Sequence, residues 1–469
     1  MTAKSPKQMT LIGFLQAQNC STYPGSWRHS AAMQDFTTPE YYQRIARTLE
    51  EGKFHLAFFD DRLAMPDIYG NDHAQTTEHG VCAVKMDLIS ILTAMGMATS
   101  KLGLGATYST TYYEPFHIAR TFGTLDLMTK GCAAWNVVTS LNDSEAANFG
   151  QSEHLEHDLR YDRADEFVET VMGHWDTWEE GALILDKESG RFADPSKVHR
   201  LDHEGRFFKS RGPFTVPRSQ QGHPVLIQAW QSGRGRQFAS RWADLIFVVY
   251  PKFEVAKKQY AEMKQALSDA GRNPDDVKIS TACYTIVAES DEIAQKEREY
   301  LDALAKPIDS LALLCEVLNT DFSKRGYDDP FSDAEMAAIS GWTGFRDRVV
   351  TLSGKKNPSV CDFVDFSKRA HRRVPGVLRH REDRRRSDGA MVRRRRGGWL
   401  RDRADARAGR IRRLRAQRRA GTAATRPVPQ GLHRRHAARK SRPADSEVRR
   451  LAQDGVPEGV EYQGRVTMA

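Results

Sequence analysis

CAAWNVVTS, Cys132–Ser140, is an apolar run closed by polar residues, and it is continuous rather than alternating. A strand with one wet face alternates apolar and polar side chains, whereas a parallel strand covered on both faces does not. Six further runs share this character: Met9–Gln16, Phe54–Asp61, Leu102–Thr110, Pro224–Trp230, Asp244–Tyr250 and Ile279–Ala288. Helical patterns fall between them. Tyr41–Lys53 (YYQRIARTLEEGK) leads into the second run, and Phe253–Ala270 precedes the seventh. Arg160–Trp175 puts Phe167, Val168, Val171 and Trp175 on one face. Repeated strand–helix units predict an α/β fold around a parallel sheet. Seven strands with helices outside come within one unit of a (β/α)8 TIM barrel. A doubly wound sheet is the alternative, weakened because no GxGxxG follows the first strand.

Two stretches depart from the pattern. Residues 181–223, with Gly190, Pro195, Gly205, Gly212, Pro213, Pro217 and Gly222, read as a loop-rich insertion. Residues 306–370 read as a second irregular region. The barrel body is therefore expected over 1–370, with both insertions inside it.

The charge is unevenly placed. The 469 residues carry a net +9, yet residues 1–370 hold 41 Lys and Arg against 51 Asp and Glu. Residues 371–469 hold 29 against 10, and 371–450 alone contain 27 Arg, one Lys and seven acidic residues. That stretch has few aliphatics and no hydrophobic period, so composition predicts disorder there. Dense arginine attracts phosphate backbones, which makes nucleic-acid binding through the tail an alternative reading. Against it, residues 371–450 have no RGG or RS repeat and one aromatic of the Trp type, Trp399. Six scattered cysteines without CxxC fit reduced thiols in a cytoplasmic protein better than a disulfide framework or a zinc site. MTAKSPKQMTLIGFLQ lacks a signal-peptide layout, and no apolar run is long enough for a membrane span.

Barrel enzymes build their sites at the C-terminal ends of the strands. There the sequence places Asn19, Cys20 and GSWRH (Gly25–His29), then Asp60 and Asp61, Thr107 and Ser109, and Asn136, Thr139 and Ser140. HLEHDLRYDRADEF opens the helix after the fourth strand, and QAWQSGRGR ends the fifth. Ser232 and the backbone around Gly233–Gly235 sit where a helix N-terminus would meet a phosphate, though Ser-Gly turns commonly just cap helices. No acid–base pair or nucleophile triad stands out.

Together WNVVTSLNDSEAANFG, EHDLRYDRADEF, FADPSKVHRLDHEGRFFKSRGPFTVPRSQQGHPVLIQA and GSWRH resemble the nitrilotriacetate monooxygenase component A group. That group lies in the bacterial luciferase-like superfamily and includes dibenzothiophene-sulfone and long-chain alkane monooxygenases. The resemblance covers roughly residues 8–300 and is nearest the sulfone branch. It implies a barrel that binds FMN as FMNH2, delivered by a separate NAD(P)H-dependent flavin reductase. The flavin would react with O2 to a C4a-peroxyflavin and insert one oxygen atom into a small organic substrate. A non-oxygenating flavin or F420 oxidoreductase of the same superfamily is the alternative within it. A homo-oligomer without a membrane anchor or nucleic-acid partner is expected.

Carried over residue by residue, the resemblance puts Asp61 and Thr107 along the isoalloxazine edge and Asn136 beneath the ring. His157, Tyr161 and Ser232 would hold the ribityl-phosphate end. Each also has a plain structural reading: Asp61 as a cap, Thr107 as a β-branched strand residue, Asn136 as a satisfier of backbone groups, and His157 with Tyr161 as an i, i+4 packing pair. Cys20, His29 and Tyr69 fall near the expected substrate side.

Three departures from the family matter. Trp230 occupies the position of a family glycine before Gln231 and Ser232, and Cys132 stands where an arginine usually precedes the WN of strand four. Beyond about residue 372 the family's closing helix signal, Ala-Asp-Gly-Phe eighth strand and final helix are all missing. The Arg-rich text has the look of GC-rich coding sequence read out of frame. Loss of the eighth strand and its helix would leave an open barrel, with weak or absent activity as the expected result.

Overall fold

Every barrel strand found in the computed structural model coincides with one of the seven apolar runs. The structure describes residues 9–21, 23–140, 142–151, 155–229, 233–250 and 253–373. These all fall in one compact unit of the chain, Met1–Arg401. The first half alternates β1 (Ile12–Gln16), α1 (Pro39–Glu51), β2 (Leu56–Asp60), α2 (Ala74–His79), α3 (Leu88–Gly96), β3 (Gly103–Ser109), α4 (Pro115–Met128) and β4 (Ala133–Val138). Then come α5 (Asp143–Asn148), α6 (His157–Asp176) and the small strands β5 (Leu183–Asp186), β6 (Arg191–Ala193), β7 (His203–Glu204) and β8 (Lys209–Ser210). The alternation resumes with β9 (Val225–Ala229), α7 (Gly233–Trp242), β10 (Leu245–Val248), α8 (Phe253–Asp269) and β11 (Lys278–Thr281).

The main sheet runs β1-β2-β3-β4-β9-β10-β11 and every pairing in it is parallel. The alternation of side chains across a strand splits β4 between two cores. Ala133, Trp135 and Val137 face α4 and α6, joining Phe122, Phe167 and Val168. Ala134 instead joins Leu56, Phe58, Ile227 and Leu245 in the barrel interior. Gly105 belongs to the same layer, since a Cβ there would press 3.3 Å from Ile227 Cδ1. The expected face of α6 is buried as the period required: Phe167, Val168, Val171 and Trp175 all lie in the main core.

Among the described residues no strand joins β11 to β1, so the sheet ends on two unpaired edges. The family's eighth strand would follow residue 373, outside the described residues, as does the expected Arg-rich tail.

Two expectations need correction. The run Ile279–Ala288 yields a strand of only four residues, Lys278–Thr281. Its later apolar residues are not strand: Tyr284 lines a cavity and Val287 is 74% exposed. Residues 306–370 are not irregular but largely helical. After α9 (Asp291–Leu304) come α10 (Pro307–Leu318), α11 (Asp333–Ala338), α12 (Thr343–Ser353) and α13 (Val360–Arg373). They enclose a second core in which Phe322, Phe331, Phe345 and Phe363 meet, with centroids 5.4 to 6.5 Å apart. Prolines and Asp-rich turns between short helices hide this period in the sequence.

The stretch 181–223 is loop-rich as expected and carries two hairpins, β5–β6 and β7–β8. Glu166 of α6 pins it by accepting from the Phe207 and Phe208 amides at 3.0 and 2.7 Å. Among the described residues no helix is long and apolar enough to cross a membrane.

Candidate functional site

The C-terminal strand ends carry a polar layer above the apolar barrel floor. On the floor Phe14, Phe58 and Phe247 meet at 5.3 to 6.0 Å between centroids. One layer up, β1 and β2 contribute Gln16 and Asp60. Gln16 Nε2 donates to Asp60 Oδ2 at 3.0 Å, and Lys85 Nζ donates to Asp60 Oδ1 at 2.8 Å. Lys85 also reaches Gln18 Oε1 at 3.3 Å. Asp61 is next in the chain, with its Oδ1 accepting from the Arg62 amide at 2.8 Å. Burial pushes its carboxyl up to about 7, against the pull of Lys85.

Thr107 and Asn136 meet across the β3–β4 pairing. Asn136 Nδ2 donates to Thr107 Oγ1 at 2.8 Å, and that hydroxyl donates onward to Phe59 O at 2.8 Å. This bond uses the amide nitrogen of Asn136 and leaves its Oδ1 buried with no partner among the described residues. A buried acceptor left bare costs about 1–3 kcal/mol, so its position invites a donor.

On the neighbouring strand, β9 delivers the chain to the first turn of α7. Tyr161 of α6 lies edge-on to Phe238 of α7 at 5.7 Å. The Arg234 guanidinium lies 5.6 Å from the Tyr161 ring and pairs with Asp165 and Asp162 at 2.7 and 3.0 Å. Thus the two helices meet through a charged and aromatic seam. His157 is the first residue of α6. Its side chain, and Trp230, Gln231 and Ser232 entirely, lie outside the described residues.

A cavity of about 1080 Å³ opens on the β1 side of the polar layer, where Gln16 and Gln18 line it while Asp61, Thr107, Asn136 and Tyr161 are not among its lining residues. Phe14, Phe58, Ile227 and Phe247 line it from the barrel interior, Cys20 and Tyr23 from the β1 loop, and Leu313 from α10. Asp302 and Arg348 are its charged members among the described residues. Leu15 also lines it, although Leu15 faces α1 while Phe14 faces inward. The cavity therefore wraps around the unpaired edge of β1.

The three residues expected near substrate separate. Cys20 is on the cavity wall. His29 is not: its Nε2 lies 3.3 Å from Glu297 Oε1 and its ring meets Tyr300 edge-on at 5.1 Å, both on α9. Tyr69 packs against the C-terminal helical core.

Sequence reasoning missed the carboxylates that hold the mouth together. Glu316 and Asp309 of α10 are 0% exposed. Glu316 Oε1 accepts from the Asp67 and Ile68 amides at 2.8 and 2.9 Å, and its Oε2 accepts from Arg62 Nη2 at 2.7 Å. Asp309 takes both Arg28 guanidinium nitrogens at 2.6 and 3.2 Å and the Lys306 amide at 2.8 Å. Buried carboxylates persist only when their oxygens are this fully matched. Apart from the Lys306 amide, the partners just named lie more than 240 residues away in sequence, where no local signal marks them.

Residues 16–338 match the profile of the luciferase-like monooxygenase family. The chain is 48% identical over 329 residues to a dibenzothiophene-sulfone monooxygenase of Rhodococcus erythropolis, covering 70% of this chain and 72% of that protein. It is 34% identical over 380 residues to nitrilotriacetate monooxygenase component A of Aminobacter aminovorans, covering 80% and 82%. Among solved structures, a riboflavin lyase with modified FMN and substrate riboflavin superposes with TM-score 0.74 at 30% identity, covering 82% of this chain and 84% of that one.

Proposed function

The chain belongs to the luciferase-like monooxygenase family, and from that premise we propose that its mouth holds reduced FMN and that it serves as the oxygenating component of a two-component system. The observation that carries the cofactor reading is the bare, buried Asn136 Oδ1, with the first turn of α7 at the end of the adjacent strand. An acceptor without a donor suits a ring N–H, and a helix N-terminus suits a phosphate. Among the described residues, a Cβ at Gly233 would meet nothing within 4 Å, which leaves room beside the first turn of α7. The residues present fit the group.

In this reading Asn136 presents Oδ1 to the cofactor, and Thr107 holds the Asn136 amide by its nitrogen. Asp61 borders the ring, and a carboxyl that titrates near neutrality can hold or release a proton there. His157, Tyr161 and Ser232 are assigned to the phosphate end with the α7 backbone. The apolar cavity takes the body of a small organic substrate and keeps water from it. Reduced FMN, when bound, supplies the electrons and the oxygen-activating chemistry with O2. FMNH2 comes from a separate NAD(P)H-dependent flavin reductase, a division of labour consistent with a relative named as a component A.

We assign the chain to the cytoplasm, as a homo-oligomer with no nucleic-acid partner. We further propose that residues 371–469 replace strand eight through a shifted reading frame. The neighbouring frame of the gene should then encode the missing strand, and its absence there sinks that idea.

The test begins with anaerobic titration of reduced FMN, followed by oxygen uptake with added reductase, NADH and dibenzothiophene sulfone. Asn136→Ala should weaken flavin binding about tenfold, as loss of one hydrogen bond predicts. Absence of flavin binding by the parent chain overturns the proposal. Binding without substrate-dependent uptake overturns the sulfone and leaves the cofactor site standing.

A further inference from the structure

Cys20 and Cys82 stand 62 residues apart in sequence with their sulfurs 3.6 Å apart at the barrel mouth. Two loops are stitched together on either side of them. Gln18 bridges to Lys85, the Met86 amide donates to Ala17 O at 3.0 Å, and Asn19 Nδ2 donates to Gly80 O at 2.7 Å. Asn19 Oδ1 in turn accepts from the Val84 amide at 3.2 Å. Gln18 Nε2 lies 3.6 and 3.7 Å from the two sulfurs. Cys82 also adopts φ +52, a left-handed conformation that a non-glycine residue rarely takes. The backbone thus holds both thiols in place rather than letting them meet by chance.

We propose that Cys20 and Cys82 are a modification site: a dithiol that hydrogen peroxide closes to an intramolecular disulfide across the lip of the cavity. The cysteine sulfurs need to approach by only about 1.5 Å to reach bonding distance. Cys20 and the Arg62 and Lys85 cations favour a thiolate at Cys82, while Cys20 is held protonated by the same hydrogen bond. That polarity assigns the roles. The Cys82 thiolate attacks one peroxide oxygen, breaks the O–O bond and releases hydroxide, leaving a sulfenic acid. Cys20 sulfur then attacks the Cys82 sulfur, its proton goes to the departing oxygen, and water leaves. Two thiols lose two electrons and one peroxide becomes two waters. The site stands independently of the cofactor reading, since it requires only peroxide, a product of any reduced flavin exposed to O2. Cys20 lines the cavity, so closure also changes the wall.

The experiment uses the full chain, fully reduced, with one equivalent of hydrogen peroxide. Thiol titration should fall by two of the six cysteines, and a non-reducing digest should contain the Cys20–Cys82 linked peptide, both reversed by dithiothreitol. Cys20→Ser and Cys82→Ser should each abolish the linked peptide, whereas Cys283→Ser, at an exposed position, should leave it unchanged. The parent protein alone decides the matter if either variant fails to fold. Peroxide consumption with no Cys20–Cys82 link, a sulfinic acid on Cys82 beside an intact Cys20, or links only between chains would overturn the proposal.

Discussion

The β3–β4 side of the barrel and the β11–β1 side are built from the same kind of apolar strand, yet they end in opposite conditions. β3 and β4 pair over six consecutive positions, and the outward Trp135 is sealed by Phe122 and Phe167. β11 has four residues and, among the described residues, a strand partner on one side only, and the faces of β1 open onto a cavity. An apolar run therefore suffices to make a strand, but it takes a neighbour on each side to make a wall. The cavity borders this same side, through Leu15 on β1 and Ser280 and Thr281 on β11.

The largest expected contrast is in amide exchange. Lys278 N donates to Asp244 O and Ala282 N to Val248 O, each at 2.9 Å. Alternation then points the Ile279 and Thr281 amides away from β10, toward the seam. Hydrogen exchange monitored by mass spectrometry should find those amides at least about a thousandfold faster than those of Trp135 and Val137, as for an unpaired edge against a core strand. Equal protection on the two sides would mean that some part of the chain beyond residue 373 closes the sheet.

Truncation should sharpen the same comparison. Trp135→Ala removes a fully buried indole whose Nε1 donates to Tyr108 O at 3.1 Å. Chemical denaturation should show a loss of about 4 kcal/mol. Phe14→Ala acts at a ring that already borders open space, and about 1–2 kcal/mol is expected because the wall there has fewer atoms to lose. Similar costs would show that the seam is packed as tightly as the wall.

These two sides also explain what was legible in the sequence. β4 was expected over Cys132–Ser140 and occupies Ala133–Val138, because a strand buried on both faces writes its burial continuously. Ile279–Ala288 misled for the converse reason: a cavity lining is apolar without being paired. Thr107 and Asn136 could be named from the resemblance, and their hydrogen bond follows from the register of adjacent strands. Lys85, Cys82, Asp309 and Glu316 could not. Their roles come from contacts made across 25 to 281 residues, which no local period encodes.

Glu316 tests whether the mouth depends on such a long-range contact. Glu316→Ala strips the acceptor from Arg62 and from the Asp67 and Ile68 amides at once. A loss of about 3 kcal/mol is expected, since the partners stay partly buried and unmatched. Limited proteolysis should then cut the 61–71 loop before the β3–β4 side loosens. Global unfolding without that early cut would argue that α10 supports the whole barrel rather than its mouth.

The effect at Asp61 is visible only as a pH dependence. In the folded protein its carboxyl keeps a proton up to about 7, well above the ordinary aspartate value of 3.8. Between those two values the folded chain binds more protons than the unfolded chain, so this group's contribution to stability falls as pH rises and is gone above about 7. Asp61→Asn carries no such charge. Its stability relative to the parent should be flat below pH 4, rise between pH 4 and 7, and level off at an advantage of about 2 kcal/mol, allowing for solvent at the mouth. Denaturation midpoints across that range measure it directly. A variant whose advantage is constant with pH would place the cost of Asp61 in its shape rather than its charge. A variant losing ground as pH rises would mean that Lys85 holds the Asp61 carboxylate ionised, and the polar layer would then be an ion-pair network on both aspartates rather than on Asp60 alone.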